Sequence, residues 1–383
     1  MEMRDGARAS GRDLPELVGY LGVGVHNDTG FGVETGAVGF RMERAMAAGR
    51  VKRNRAAPFE VALRTEVALK AVHFFNPMNY VEVCEKMGWE QGKLIPALSG
   101  DDFLGYLKKV GVLSQPMDYV YRIRDILVSL EANGILIDQG RDRRSPLFYT
   151  YFFLGDYSPL RAQGVLWLAK SLGADFVLEQ VKETVIHVTG RSKKNGSSVG
   201  GSGIVFDKNH ILTCRHVVED MELDRQQVFQ GKQCAIDGSA VHVSHQTDVA
   251  VIRVEEDLTT VPGLVFCEPS IAKTVFTLGY PRIPFVREAC LVMQRGEVTR
   301  ELVTSLRGES LFLYSAISRP GNSGGPIISD DGYIVGISSE SIEGKYEAGE
   351  PLSPHYAGVP AQVVAQSVIE FQLGVEIPFE AYE

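Results

Sequence analysis

Residues Arg319-Pro320-Gly321-Asn322-Ser323-Gly324-Gly325-Pro326 set a serine among glycines. Glycine before and after a serine permits a tight loop in which backbone N–H groups converge on one point. A serine hydroxyl alone is a poor nucleophile at neutral pH, so the loop gains chemical meaning only with a base elsewhere and a group to orient that base. Two upstream segments supply both residue types: Ile211-Leu-Thr-Cys-Arg-His216-Val-Val and Thr247-Asp248-Val-Ala-Val-Ile. Histidine is the natural base, because an imidazole titrates near working pH, and a buried aspartate fixes its tautomer and stabilises the imidazolium that forms.

The texture around these segments is β. From about Thr184, short β-branched and aromatic runs (TVIHV, SGIVF, HILTC, VAVIRV, VFTLGY, LFLYSAI, GPIIS, YIVGIS) alternate with Gly, Asn, Asp and Pro, which predicts an all-β barrel or sandwich. His, Asp and Ser follow one another at 32 and 75 residues, enough to place them on different loops of two packed barrels.

S-G-I-V-F ahead of L-T-C-R-H-V-V, T-D-V-A-V-I and A-I-S-R-P-G-N-S-G-G-P together resemble the trypsin-like serine proteases, and the HtrA/Deg type more than the digestive type. The order His…Asp…Ser is that of the chymotrypsin architecture. The resemblance covers residues 184–370, and Tyr356-Ala-Gly-Val-Pro-Ala resembles its last strand, with a short helix following to Leu373. It implies a triad of His216, Asp248 and Ser323. The oxyanion hole falls to the backbone N–H groups of Gly321 and Ser323, with that of Asn322 adjacent. In this family the residue six before the serine lies at the floor of the primary pocket; here it is Ile317, an apolar floor that offers a buried Lys or Arg no partner. Cleavage after a small or medium apolar residue is the expectation, with Ser338 and Ser339 on the pocket wall or against the peptide strand. Digestive relatives carry an aspartate before the serine, which pairs with a new N-terminus. This chain has Asn322 there and no Arg-Ile-Val-Gly-Gly site, so that activation is not expected. HtrA proteins usually continue into a PDZ domain, for which a chain ending at Glu383 leaves no room.

The first half reads differently. Residues 1–57 form a Gly/Arg-rich segment whose glycines do not make a phosphate-binding pattern, and Arg50-Val-Lys-Arg-Asn-Arg55 reads as a solvated linker. Residues 58–155 predict helices over Val61–Phe75, Tyr80–Met87 and Asp101–Val110, with stops at Gly88 and Gly111. Pro116 opens a further helix that Gly134 ends. Ile135–Asp138 and Leu147–Phe153 then flank a polar turn carrying Arg141, Arg143 and Arg144, a hairpin. Helices followed by a basic-tipped hairpin resemble a winged helix. A bridging helix over Pro159–Leu172 falls within a linker, 156–183, ahead of the protease domain, 184–373, and a tail, 374–383. The fold class is thus multidomain α+β: a helical, winged-helix-like region, then an all-β double barrel.

Charge bears on partners. The net charge is −9; residues 1–180 carry 22 basic and 22 acidic residues, and residues 181–383 carry 17 and 26, so the whole excess lies in the second half. That half is a poor nucleic-acid surface, and the neutral first half favours a regulatory protein partner, or an assembly of copies, over DNA. Five cysteines without CxxC spacing and a first segment without a signal-peptide pattern point to a cytoplasmic protein with no membrane span. Cys214 reads as a buried core thiol and His187 as a strand residue; His210, His242 and His245 lack ligand spacing, so no metal or other cofactor is expected. The expected activity is that of a serine endopeptidase with a protein or peptide substrate, weakening below about pH 6.5–7 as the base protonates. A regulatory protein that binds DNA or a partner and cleaves only itself or one cognate protein fits the same residues.

Overall fold

The computed structural model describes residues 60–381, apart from 146, 156, 237–239 and 343–354; the 1–57 segment, with its Arg50–Arg55 run, lies outside the described residues. Helix α1 (Val61–Phe75) ends at the extended Asn76, while α2 (Tyr80–Met87), α3 (Gly100–Lys109) and α4 (Val120–Ala132) end where glycine allows them to: Gly88, Gly111 and Gly134 take φ of 73°, 79° and 73°. Ser99 caps α3 by accepting from the Asp101 N–H, and Asp101 and Asp102 in its first turn suit the helix dipole. Strands β2 (Leu136–Arg141) and β3 (Tyr149–Phe153) form the hairpin, and the short β1 (Leu98–Ser99) pairs with β3, giving the order β1-β3-β2. Phe74, Phe75, Phe103, Tyr106 and Tyr151 interlock as the aromatic core of this part.

The bridge departs from expectation. Instead of one helix over Pro159–Leu172, the chain makes 3-10 turns at Arg161–Gln163 and Leu166–Leu168, then α5 (Ala169–Leu172) and α6 (Ala174–Val181). Gly164 breaks the helix. It packs so tightly on the backbone of Pro262 that a Cβ would fall 1.8 Å from that carbonyl oxygen. Arg161 anchors the bridge to the β region, its guanidinium 4.0 Å from the Tyr333 ring centroid and donating to the carbonyls of Leu166 and Asp331. One buried core runs from α1 through the bridge into the β sheets.

A six-stranded sheet runs β10-β11-β6-β5-β4-β7, comprising β4 (Val185–Ser192), β5 (Ser198–Asp207), β6 (His210–Thr213), β7 (Met221–Leu223), β10 (Val241–Val243) and β11 (Ala250–Arg253). A hairpin of β8 (Gln226–Phe229) and β9 (Lys232–Ala235) stands beside it. The second sheet runs β16-β13-β14-β15-β18-β17-β12-β19, and a further β16–β17 pairing closes its first six strands into a barrel. Its strands are β12 (Phe266–Cys267), β13 (Thr274–Gly279), β14 (Val292–Thr304), β15 (Ser310–Tyr314), β16 (Pro326–Ser329), β17 (Ile334–Ile342), β18 (His355–Pro360) and β19 (Phe379–Glu380). Helix α8 (Ala361–Glu370) follows, and the last residues return as β19 in parallel with β12, so the expected tail is part of the sheet. The apolar runs that predicted strands hold fully buried residues such as Ile204, Ile211, Ile252, Leu278, Ile328 and Ile337, each contributing about 1.5–3 kcal/mol.

Candidate active site

Antiparallel register explains how residues 32 apart in sequence meet. Strands β6 and β11 pair Thr213 with Ala250, which brings the chain just after β6 beside the chain just before β11. His216 lies in the first turn of α7 (Arg215–Asp220), directly after β6. Its Nδ1 stands 2.8 Å and 3.0 Å from Oδ2 and Oδ1 of Asp248, and its backbone N–H also donates to Oδ1 at 3.0 Å. Asp248 is 6% exposed. Burial by itself would raise its carboxyl pKa; the bonds from His216 and Ser339 outweigh that and hold it below the ordinary aspartate value. Cys214, His216 and Asp248 have their donor atoms within 4.8 Å of one another, yet the imidazole and carboxylate already engage each other, and the buried Cys214 thiol donates to the Ser338 carbonyl at 3.2 Å.

Ser323 lies between β15 and β16, in a loop that crosses to β17: the Gly324 N–H donates to the Ser338 carbonyl at 2.7 Å, and the Ser338 N–H to the Gly325 carbonyl at 2.8 Å. The Ser323 hydroxyl donates to the Ser339 carbonyl at 2.9 Å. Glycine is required here by contact. A Cβ on Gly324 (φ 84°) would lie 2.2 Å from the Ser202 carbonyl oxygen, and one on Gly321 (φ 105°) 2.5 Å from that of Tyr280. The Asn322 N–H is engaged by the Arg319 carbonyl at 2.9 Å, so of the three amides expected at an oxyanion hole it is the one already turned elsewhere. The Asn322 side chain is 3% exposed, and its Oδ1 has no hydrogen-bond partner among the described residues.

The two serines expected on the pocket wall or against the peptide strand turn their hydroxyls inward. Ser338 is fully buried, its hydroxyl 2.9 Å from the Tyr314 hydroxyl and 3.0 Å from that of Ser318. Ser339 is 4% exposed and donates to Asp248 Oδ2 at 2.6 Å. Both face partners inside the protein, because β17 runs beneath the Ser323 loop and is held against it. Ile317 is 42% exposed and presents an apolar side chain. Two features went unread in the sequence. Ser202 of β5 bonds the Ser323 loop, and Arg215 reaches Glu309, just before β15, at 2.9 Å. The only signal for either was position: Ser202 opens the S-G-I-V-F run, and Arg215 precedes the histidine.

Residues 201–337 match the family described as the trypsin-like peptidase domain. Over that stretch the chain is similar to the trypsin-like peptidases. Its relatives include the serine protease Do-like HtrA of Bacillus subtilis, 30% identical over 162 residues that cover 39% of this chain and 35% of that protein. A protein of Sinorhizobium fredii, y4bJ, is 29% identical over 156 residues, 39% of this chain and 23% of that one. The chain thus spans about a third or less of the length of these relatives. Among solved structures, the active form of the Rv3671c protease of M. tuberculosis superposes with a TM-score of 0.40 at 21% identity, over 51% of this chain and 83% of that one. None of the five cysteines is in a disulfide, and among the described residues no helix is long and apolar enough to cross a membrane.

Proposed function

We propose that the chain is a serine endopeptidase in which Ser323 attacks the scissile carbonyl and His216 takes its proton. The observation that carries the reading is the short pairing of His216 Nδ1 with the buried Asp248, which leaves Nε2 as the base. The Ser323 hydroxyl turns from the Ser339 carbonyl to His216 Nε2, attack gives a tetrahedral oxyanion, and the imidazolium returns the proton to the leaving amine. Gly321 and Ser323 N–H groups receive the oxyanion, an interaction worth about 3 kcal/mol per donor. Asn322, neutral and buried, fits a site that needs no ammonium counter-charge. The exposed, apolar Ile317 supports cleavage after small or medium apolar residues.

The helical part recruits a protein partner. Its hairpin is a poor phosphate surface: Arg144 pairs with Asp102 at 2.6 Å and Asp142 at 3.2 Å, and Arg141 lies over the Tyr149 ring. Its exposed apolar residues, among them Met78, Val81 and Leu94, suit protein contact. Cysteines without disulfides fit a reducing, cytoplasmic setting.

Labelling with a fluorophosphonate probe tests the site. The wild-type chain is expected to label and Ser323→Ala not to. Wild-type protein that stays unlabelled, or Ser323→Ala that labels equally, overturns the reading.

A further inference from the structure

Ser202 lies in β5 of the first sheet and is fully buried, yet each of its polar groups has a partner in or beside the nucleophile loop. Its N–H donates to the Ser323 carbonyl at 2.8 Å, and its hydroxyl donates to the Gly321 carbonyl at 2.7 Å and accepts from the Tyr280 N–H at 2.8 Å. Its carbonyl accepts from the Thr213 hydroxyl at 2.7 Å. A hydroxyl that donates once and accepts once in a packed interior has no rotational freedom left. Packing agrees: a Cβ on Gly279 would fall 2.7 Å from this oxygen.

Three successive peptide planes carry the N–H groups of Gly321, Asn322 and Ser323. The first is held by its Pro320 carbonyl, which accepts from the Arg282 N–H at 3.0 Å; the third by its Asn322 carbonyl, which accepts from the Gly325 N–H at 2.9 Å. Both are backbone bonds within the second barrel. The middle plane is the pivot between the two proposed oxyanion donors, and its carbonyl is held by a side chain from the other sheet. We infer that Ser202 is a positioning residue that sets the convergence of the Gly321 and Ser323 N–H groups. The inference rests on the peptidase reading above.

The test compares wild type with Ser202→Ala and with Ser202→Cys, which keeps the side-chain volume and a weak donor. Kinetics are normalised to folded protein and to sites titrated with the fluorophosphonate probe. Thr213→Val, which removes a neighbouring buried hydrogen bond of the same residue, reports general loosening. In Ser202→Ala, kcat is expected to fall about 10- to 100-fold with KM within about twofold, the affinity for a peptidyl boronate transition-state analogue to weaken by the same factor, and the acid limb of the pH profile to stay in place. Ser202→Cys falls between, and Thr213→Val keeps kcat within about twofold while its melting temperature drops. Near-wild-type kcat and boronate affinity in both Ser202 variants, or an equal kcat loss in Thr213→Val, overturns the inference. Wild-type protein that does not react with the probe overturns the peptidase reading itself.

Discussion

The hydroxyl of Ser339 donates to Oδ2 of Asp248 at 2.6 Å, while the carbonyl of the same serine accepts from Ser323 at 2.9 Å. One residue of β17 therefore touches both Asp248, the proposed orienting acid, and Ser323, the proposed nucleophile. Ser339→Ala removes a hydrogen bond to a buried charge, an interaction worth about 1.5–3 kcal/mol, and leaves the carbonyl contact intact. A fall in kcat of about tenfold with unchanged probe stoichiometry is expected in steady-state kinetics on titrated enzyme. An unchanged kcat would show that the carboxylate needs no second donor.

Acid sensitivity has a defined sign. The Asp248 pKa is held below its ordinary value by His216 and Ser339 against the opposing effect of burial. A depressed folded-state pKa contributes stability above the unfolded value, near pH 4, and that stability is lost as pH falls through the folded value. No carboxylate inflection is therefore expected in the activity above about pH 4. Asp248→Asn is expected to lower kcat about 10⁴-fold by favouring the wrong tautomer. A pH–rate profile from pH 4 to 9 on both proteins checks this, and a second inflection near pH 5 would contradict it.

Gly324→Ala is expected to destabilise by about 3 kcal/mol or more and to abolish probe labelling, because its Cβ would meet the Ser202 carbonyl and the Thr213 hydroxyl within 2.3 Å at a φ of 84°. Gly196→Ala is the control. Its φ is 69° but nothing lies within 4 Å of the added carbon, so the cost is about 1 kcal/mol of backbone strain. Thermal denaturation of the pair separates close approach from left-handed conformation; equal costs would refute the packing argument.

In the helical part, Asp142 is brought down to about 2 by the Ser99 hydroxyl first, then by the backbone and side chain of Arg144. Its carboxylate ties the β2–β3 hairpin to Ser99 at the start of α3. Its contribution is present above the unfolded pKa, near 4, and fades as pH falls toward 2. Asp142→Asn is expected to cost about 1–2 kcal/mol at neutral pH and about half as much at pH 3. Chemical denaturation at both pH values measures the gap, and a gap that widens on acidification would reverse the assignment.

Much of this molecule is legible in one dimension because the deciding interactions are local. Gly88, Gly111 and Gly134 end helices where a left-handed residue is needed, and the alternating apolar runs become strands since a pleated backbone buries every second side chain. The spacing of His216, Asp248 and Ser323 carried the peptidase resemblance for a related reason: loops between short strands tolerate few residue types when backbone amides must converge. Long-range contacts had no such signature. Nothing near Gly164 announces that Pro262 will press against it, and nothing near residue 380 announces a parallel partner at Cys267. Ser338 and Ser339 read as pocket-wall or peptide-strand residues by position, and only the register of β17 against β16 and β18 sets their hydroxyls toward Tyr314 and Asp248. Ser202 is the clearest instance. A serine in a glycine-rich strand is unremarkable in sequence, and it grips the Gly321 segment 119 residues away only once two sheets have packed together.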